Sequence, residues 1–203
     1  MKNYRVYQLQ FRDLDGSYIN VHQELIESCK AGDRSAQFKI YKLYYKAMYN
    51  TSLRIVNDTA EAEDIMQESF LDAFRRLDSY TGEGSFGSWL KKIVVNKSLD
   101  AIRKNRESIS IEEESLDFPE ITEENREEEL QYKVAEVKEA ISRLPEDYRI
   151  VLSLFLLEGY DHEEISEILN ITNNTSRTRF VRAKQKLLKI LKEKKFVNSF
   201  NYN

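Results

Sequence analysis

Residues 159–191 read GYDHEEISEILNITNNTSRTRFVRAKQKLLKIL, and this stretch predicts two helices joined by a tight turn. Asp161 precedes the first helix and Glu164 follows three residues later, which is the spacing of a capping box. The apolar residues of this helix share one face: Ile165, Ile168 and Leu169. Residues 170–172 are turn-prone and interrupt the pattern, so a second helix is predicted to begin near Asn174.

The second helix carries one sign of charge on its outer surface. From Arg177 to Lys195 there are nine Lys or Arg residues and a single acid, Glu193. A face that served only solubility would mix the two signs, whereas a surface that meets phosphate would not. The stretch therefore predicts a helix-turn-helix, in which one helix braces and the next lies in the major groove. An amphipathic hairpin with a solvated basic face is the plainer alternative.

Composition indicates a helical protein without a disulfide framework. The 203 residues include only six Gly and two Pro, and Cys29 is the one cysteine. There is no apolar run of signal-peptide length at the start, and nowhere do 18 apolar residues follow one another. We expect a soluble cytoplasmic protein that does not insert into a membrane.

The mild net charge of −4 hides a division along the chain. Residues 107–130 hold eleven acids and one base, and the remaining residues carry 30 bases and 24 acids. Such an acidic, weakly apolar stretch is typical of a flexible tether. The sequence thus predicts an all-α protein with two small helical domains joined by a flexible acidic linker. The predicted parts are an N-terminal arm (1–20), a first domain (21–106), the linker (107–129), a second domain with the helix-turn-helix (130–195) and a frayed tail (196–203).

Apolar spacing predicts which faces of the helices are buried. The long helix from Arg34 carries a stripe of large residues: Phe38, Tyr41, Tyr45, Met48 and Tyr49. The segment after Pro145 is apolar nearly all round through Leu157, so it is predicted to be the buried centre of the second domain. Residues 79–87 contain three of the six glycines, which predicts a loop with unusual backbone angles.

Two stretches together resemble the extracytoplasmic-function (ECF) sigma factors of bacterial RNA polymerase. They are DTAEAEDIMQESFLDAFRRLDSYTGEGSFGSWLKKIVVNKSLDAIRK (58–104) and LPEDYRIVLSLFLLEGYDHEEISEILNITNNTSRTRFVRAKQKL (144–187). With the Tyr-rich helix, the resemblance covers most of residues 22–191. It implies a subunit that binds core polymerase, recognises the −35 and −10 promoter elements and helps to open DNA. It also implies an anti-sigma protein as a further candidate partner.

The resemblance assigns candidate residues to three contacts. Those for core polymerase are Asp64, Gln67, Glu68 and Phe70. Those for the −10 strand, through a flipped-base pocket and a basic groove, are Ser85, Phe86, Lys91, Lys92, Asn96, Lys97 and Asp100. Those for the −35 element are Thr175, Ser176, Arg177, Arg179, Arg182 and Lys184.

The chain departs from the family pattern at the start of the second helix of the pair. The family usually has Gly where Asn174 stands, and an apolar residue where Ser176 stands. The serine removes a packing group between the two helices, so the seating of the recognition helix is expected to differ.

Two other readings fit part of the chain. A free-standing helix-turn-helix transcriptional regulator would explain the second domain but not the first. In a helical polymerase-binding adaptor without DNA contact, the basic faces would be incidental. An enzyme is disfavoured because His22 and His162 lack ligand-spaced partners and the carboxylate runs lie in or near the linker. No cofactor, metal or small-molecule substrate is expected.

Overall fold

The computed structural model describes residues 22–82, 84–108 and 134–200, and within them every regular element is helical. The elements are α1 (Gln23–Lys30), α2 (Arg34–Val56), α3 (Thr59–Arg75), a 3-10 turn (Leu77–Ser79), α4 (Phe86–Ser108), α5 (Val134–Ser142), α6 (Glu146–Ser153), a π-helical turn (Leu154–Glu158), α7 (His162–Leu169) and α8 (Asn173–Phe200). They form two compact units, divided between Asp100 and Ala101. The all-α class with two helical domains is confirmed. The residue bounds of those domains remain a prediction, and the arm and residues 109–129 of the linker lie outside the described residues.

Side-chain caps start the helices where the sequence places them. The carboxylate of Asp33 accepts a hydrogen bond from the Ser35 amide, and that of Asp58 accepts one from the Glu61 amide. Each satisfies an amide that has no partner inside its own helix. Asn57 ends α2 in the left-handed region at a φ of 60°. The predicted start of the long helix at Arg34 is thus confirmed.

The core of the first unit is aromatic. The Phe70 ring is 3% exposed and lies edge-on to Tyr41, with 5.0 Å between ring centroids. Across the same core, the Ser98 hydroxyl on α4 donates to the Ser52 hydroxyl on α2 at 3.0 Å. Phe38 was expected in the stripe but is 61% exposed, because the buried face of α2 is set by Ala36 and Ile40. The stripe prediction was wrong for this residue.

A charged cluster joins α3 to α4 at the surface. The Lys97 ammonium lies 2.8 Å from an Asp72 carboxylate oxygen and 3.3 Å from a Glu68 oxygen. The hydrogen bond from Lys97 and its positive charge lower the pKa of Asp72. The same carboxylates raise the pKa of Lys97. The cluster therefore favours the charged form of both partners.

The second unit packs α5, α6 and α8 around a small aliphatic core. Ile141, Leu144, Leu152 and Ala183 are buried together, with Phe180 against them. Ile150, Val151, Leu152 and Leu154 are buried, as expected for the centre of this domain. Leu156 and Leu157 are 53% and 47% exposed, so the prediction was wrong for the end of the segment. The helix widens into the π-helical turn there, which changes the direction of the side chains that follow.

Helix α8 continues through Phe200, which corrects the prediction of a frayed tail from residue 196. No Gly or Pro occurs after Gly159, so nothing in the sequence breaks the helix. Residues 201–203 lie outside the described part of the chain.

Substituting Phe70 and its neighbour Leu71 separates core from surface on α3. We expect Phe70→Ala to lower the free energy of unfolding by about 3–5 kcal/mol, because it empties a closed aromatic core. Leu71 is 56% exposed, so Leu71→Ala should change that free energy by no more than about 0.5 kcal/mol. Urea unfolding of the full chain measures both. Equal losses for the two variants would contradict the placement of these side chains.

The Asp72–Lys97 pair predicts a pH-dependent contribution to stability. Because the folded-state pKa of Asp72 is lowered, its contribution is present above the ordinary carboxyl pKa of about 3.9 and is lost as the pH falls through the lower folded value. Asp72→Asn should therefore be less stable than the wild type at pH 7, and the gap should be smaller at about pH 3, below the ordinary carboxyl pKa. Asp64→Asn is the control, at an exposed position two turns earlier on α3. A gap for Asp72→Asn that is the same at both pH values would contradict the pairing.

Candidate nucleic-acid and polymerase-binding surfaces

One exposed face of α3 combines polar and apolar side chains. Asp64, Gln67 and Glu68 are exposed, and Leu71 lies on the same face one turn further along. An exposed leucine amid acidic and amide groups is typical of the centre of a protein interface with a polar rim. Sequence reasoning missed Leu71, although its position opposite the core stripe of Met66, Phe70 and Ala73 could have indicated it.

Phe70, which was expected on this face, is not available to a partner. Its ring packs inside the first unit against Tyr41 and Phe74. The α3 face is therefore formed by the other three predicted residues together with Leu71. We call these four residues, Asp64, Gln67, Glu68 and Leu71, the α3 face.

The glycine loop before α4 has the predicted unusual backbone angles. Gly82 and Gly84 have φ angles of 85° and 94°, a region that other residues rarely adopt. The Tyr80 hydroxyl donates to the Gly84 carbonyl at 2.8 Å and holds the loop closed. Ser85 is exposed, and its hydroxyl accepts from the Ser88 amide at 3.1 Å at the start of α4. The loop is thus shaped by Gly and anchored at both ends.

Phe86 was expected to line a base-binding pocket, but it is only 1% exposed. Its ring contacts Tyr44, Tyr80 and Trp89, with centroid distances of 5.5–5.6 Å. A ring enclosed on these sides cannot stack on a base, so this part of the prediction was wrong. Phe86 instead fixes the first turn of α4 beneath the loop.

The predicted residues on α4 divide by environment. Lys92, Asn96 and Asp100 are exposed at four-residue spacing and so lie along one face. Lys91 is half-buried. Lys97 pairs with Asp72 and Glu68, so its charge is already matched within the protein. The expectation that Lys97 also supplies positive charge to a DNA groove stays a prediction.

The recognition helix α8 starts at the turn predicted for it. The Thr172 hydroxyl accepts from the Thr175 amide at 3.0 Å, which closes the helix start. The α7 helix before it has a complete capping box between Asp161 and Glu164. Asn170 ends α7 in the left-handed region at a φ of 53°. The predicted helix-turn-helix is therefore present.

Several predicted DNA-reading side chains of α8 are accessible, and three of them, Thr175, Arg179 and Arg182, share its open face. Arg177, Arg182 and Lys184 are exposed, and Thr175 and Arg179 are half-buried. Of these, Thr175, Arg179 and Arg182 border a depression of about 330 Å³, whose lining residues are Asp147, Tyr148, Asn174, Thr175, Thr178, Arg179 and Arg182. Thr178 is exposed here and was not among the predicted residues.

Two arginines of α8 are held in place by neighbouring side chains. The Arg177 Nε donates to the Asn173 side-chain oxygen at 2.8 Å. The Arg179 guanidinium lies 2.8 Å from a carboxylate oxygen of Asp147, which is on α6. Fixing a long side chain before binding reduces the conformational entropy lost on binding.

Ser176 does not approach DNA, which corrects another predicted contact. It is 0% exposed, and its hydroxyl lies 2.9 Å from the Nδ1 atom of His162. The His162 ring stacks on Phe155 at a centroid distance of 4.5 Å and lies edge-on to Phe180 at 5.5 Å. Burial, and secondarily the charge of Arg177, lower the pKa of His162.

The described residues contain neither a membrane-spanning helix nor a cluster of metal ligands. No helix in the described ranges is long and apolar enough to span a membrane. No group of three His, Cys, Asp or Glu side chains in those ranges is placed to hold a metal ion.

Comparison with known proteins gives matches to both units. Residues 40–108 match the family described as Sigma-70 region 2, and residues 135–187 match Sigma-70, region 4. The chain is 30% identical to the ECF RNA polymerase sigma factor SigW of Bacillus subtilis over 179 residues, covering 83% of this chain and 95% of that protein. It is also 30% identical to the ECF RNA polymerase sigma-E factor of Haemophilus influenzae over 178 residues, covering 80% and 91%.

A solved structure shares the fold. The sigma factor RpoE of Bartonella quintana, in complex with the anti-sigma factor NepR, aligns with a TM-score of 0.53 and 21% identity. The alignment covers 76% of this chain and 95% of that one. Two family matches in the expected order, and relatives matched over nearly their whole length, agree with the helices and the helix-turn-helix described above. The chain belongs to the ECF sigma factors of bacterial RNA polymerase.

Proposed function

We propose that this chain joins core RNA polymerase through the α3 face and directs it to promoters, where α8 reads the −35 element. The observation that carries the proposal is the open face of α8, where Arg179, held by Asp147, and Arg182 border a depression at the start of a capped recognition helix. The role is one of binding and positioning and needs no catalytic group in the chain.

The α3 face supports the step of joining polymerase. Leu71 supplies an exposed apolar centre, and Asp64, Gln67 and Glu68 supply a polar rim. Such a surface fits a partner that presents an apolar groove flanked by positive charge. We propose the clamp helices of the largest polymerase subunit, which the family uses, as that partner.

The Gly82–Gly84 loop and the α4 face support contact with the −10 strand. Ser85 is exposed beside the loop, and Lys92 and Asn96 follow on the exposed face of α4. We propose that the loop receives an unpaired base and that Lys92 lies along the backbone of the strand. Asp100 is exposed at the end of the same face and borders this path.

An anti-sigma protein is a further proposed partner. The Bartonella quintana sigma factor that shares this fold was solved in complex with the anti-sigma factor NepR. A protein that covered the α3 face or the open face of α8 would keep this chain from polymerase or from DNA.

Reconstituted transcription tests the proposal as a whole. With core polymerase, the chain should initiate at promoters that carry both elements, and the binding of the complex to DNA should weaken steeply as salt is raised. The isolated chain should bind promoter DNA poorly. Tight, sequence-specific binding by the chain alone would favour a free-standing regulator, and polymerase binding without any effect on promoter choice would favour an adaptor.

A negative charge introduced at the centre of the α3 face should disrupt polymerase binding. We expect Leu71→Asp to weaken the affinity of the full chain for core polymerase at least about tenfold, because it places a carboxylate in a desolvated contact. Leu43→Asp is the matched control, since Leu43 on α2 is 52% exposed. Fluorescence anisotropy of labelled chain measures both affinities. Wild-type affinity for Leu71→Asp, or an equal loss for Leu43→Asp, would contradict this assignment.

Removal of the held arginines should affect promoter reading alone. We expect Arg177→Ala and Arg179→Ala to reduce −35-dependent initiation roughly 5- to 100-fold and to leave core association intact, because each removes a contact worth about 1–3 kcal/mol. Lys189→Ala, three turns further along α8, is the control. Initiation from promoters with and without the −35 element gives the measurement. Loss of core binding in either arginine variant would show that the two units do not divide the work in this way.

A further inference from the structure

The hydrogen bond between His162 and Ser176 joins the two helices of the helix-turn-helix. His162 is the first residue of α7, and Ser176 lies in the first turn of α8. The two atoms concerned, Nδ1 and Oγ, are 2.9 Å apart. Because Ser176 is the residue before Arg177, a shift of this contact shifts the side chains proposed to read DNA.

The contact is flanked by two aromatic rings, one from the π-helical turn and one from α8. Phe155 stacks on the imidazole from the π-helical turn, and Phe180 lies against it from α8. Phe155 and Phe180 also contact each other at a centroid distance of 4.5 Å. Ser176 has no exposed surface, so its hydroxyl has no water to replace the imidazole. Loss of that partner would leave a buried polar group unsatisfied.

We propose that His162 is a proton-sensitive positioning residue, whose neutral imidazole, held by Ser176, sets the seating of α8 and so the reading of the −35 element. Protonation of His162 in mild acid loosens that seating and weakens promoter selection. The inference rests on the proposed function of α8 and adds a residue that does not itself touch DNA.

The charges around the ring set the direction of this effect. Arg177 on α8 opposes a second positive charge, and Lys184 on the same helix places its ammonium 5.8 Å from the centroid of the Phe180 ring. Asp161, next to His162 in the chain, favours the charged form, but burial and Arg177 outweigh it, so the pKa is lowered. Folding therefore favours the neutral ring, and this stabilising effect is complete above the ordinary histidine pKa of about 6.5 and is lost as the pH falls through the lower folded value. The Ser176 hydroxyl can accept from a protonated ring as well as donate to a neutral one, so the acid effect comes from the added positive charge beside Arg177 and not from loss of the hydrogen bond.

The presence of two histidines makes a clean titration possible. His22 lies in the first unit, edge-on to Tyr44, and serves as the matched control. In proton NMR spectra of the full chain, His22→Gln identifies the signal of His162 by elimination. We expect the pKa of His162 to lie below 6.5. A pKa at or above that value would overturn the proposal.

The functional test compares promoter selectivity at two pH values. With core polymerase, initiation from a promoter with the −35 element is divided by initiation from one with that element scrambled, at pH 7.5 and near pH 5.5. We expect this ratio to fall at least about fivefold in acid for the wild type and for His22→Gln, the lower end of typical coupling between linked sites. It should stay flat for His162→Gln. An identical acid loss in His162→Gln, or a flat profile in His22→Gln, would overturn the proposal.

A double variant keeps the test decisive if His162→Gln does not fold. His162→Phe with Ser176→Ala replaces both polar partners by apolar groups, which is often nearly neutral for stability. We expect it to retain −35 selectivity at pH 7.5 and to lose the acid response. If it keeps the wild-type acid response, the proposal is wrong. If the wild type shows no −35 preference even at pH 7.5, the proposed function of α8 fails first.

Discussion

The helix-turn-helix depends on the polar groups that cap both ends of α7, a helix too short to be stable by itself. α7 has eight residues, and an isolated helix of that length is not stable in water. The capping box of Asp161 and Glu164 satisfies its first amides, and Asn170 turns the chain back at its other end. With both ends closed, Ile165 is buried in full and α8 can pack across it. The direction of the recognition helix is therefore a consequence of a few polar groups at the ends of its neighbour.

Each unit contains a basic side chain that is held in place by carboxylates, but the two ion pairs have different roles. Lys97 is held by Asp72 and Glu68, and this cluster joins α3 to α4 within the first unit. Arg179 is held by Asp147, and this pair leaves the guanidinium beside an open depression. The same kind of ion pair thus links two helices in the first unit and positions a guanidinium beside a depression in the second. Counting charges along the sequence cannot separate the two cases.

Helix starts and the class of fold were predictable because they depend on neighbours in sequence. Asp33, Asp58 and Asp161 all cap as their spacing indicates. The errors concern contacts between distant segments. Phe86 is buried by Tyr44 and Tyr80, from two other parts of the chain, and Ser176 is covered because His162 reaches it from another helix. Leu71 was missed for the same reason, since its exposure depends on which side of α3 the other helices occupy.

The π-helical turn at Leu154–Glu158 makes the second unit sensitive to the length of the chain. The Tyr160 amide bonds to the Leu154 carbonyl at 3.0 Å, a span of six residues that a regular helix would not bridge. A one-residue deletion that restored a regular helix would rotate everything after it by about 100°. Asp161 would then leave the start of α7, and the imidazole would leave its aromatic neighbours. The number of residues between Pro145 and Asp161 is thus fixed. Relatives that bind DNA in this way should therefore vary in the amino acids of this segment far more readily than in its length.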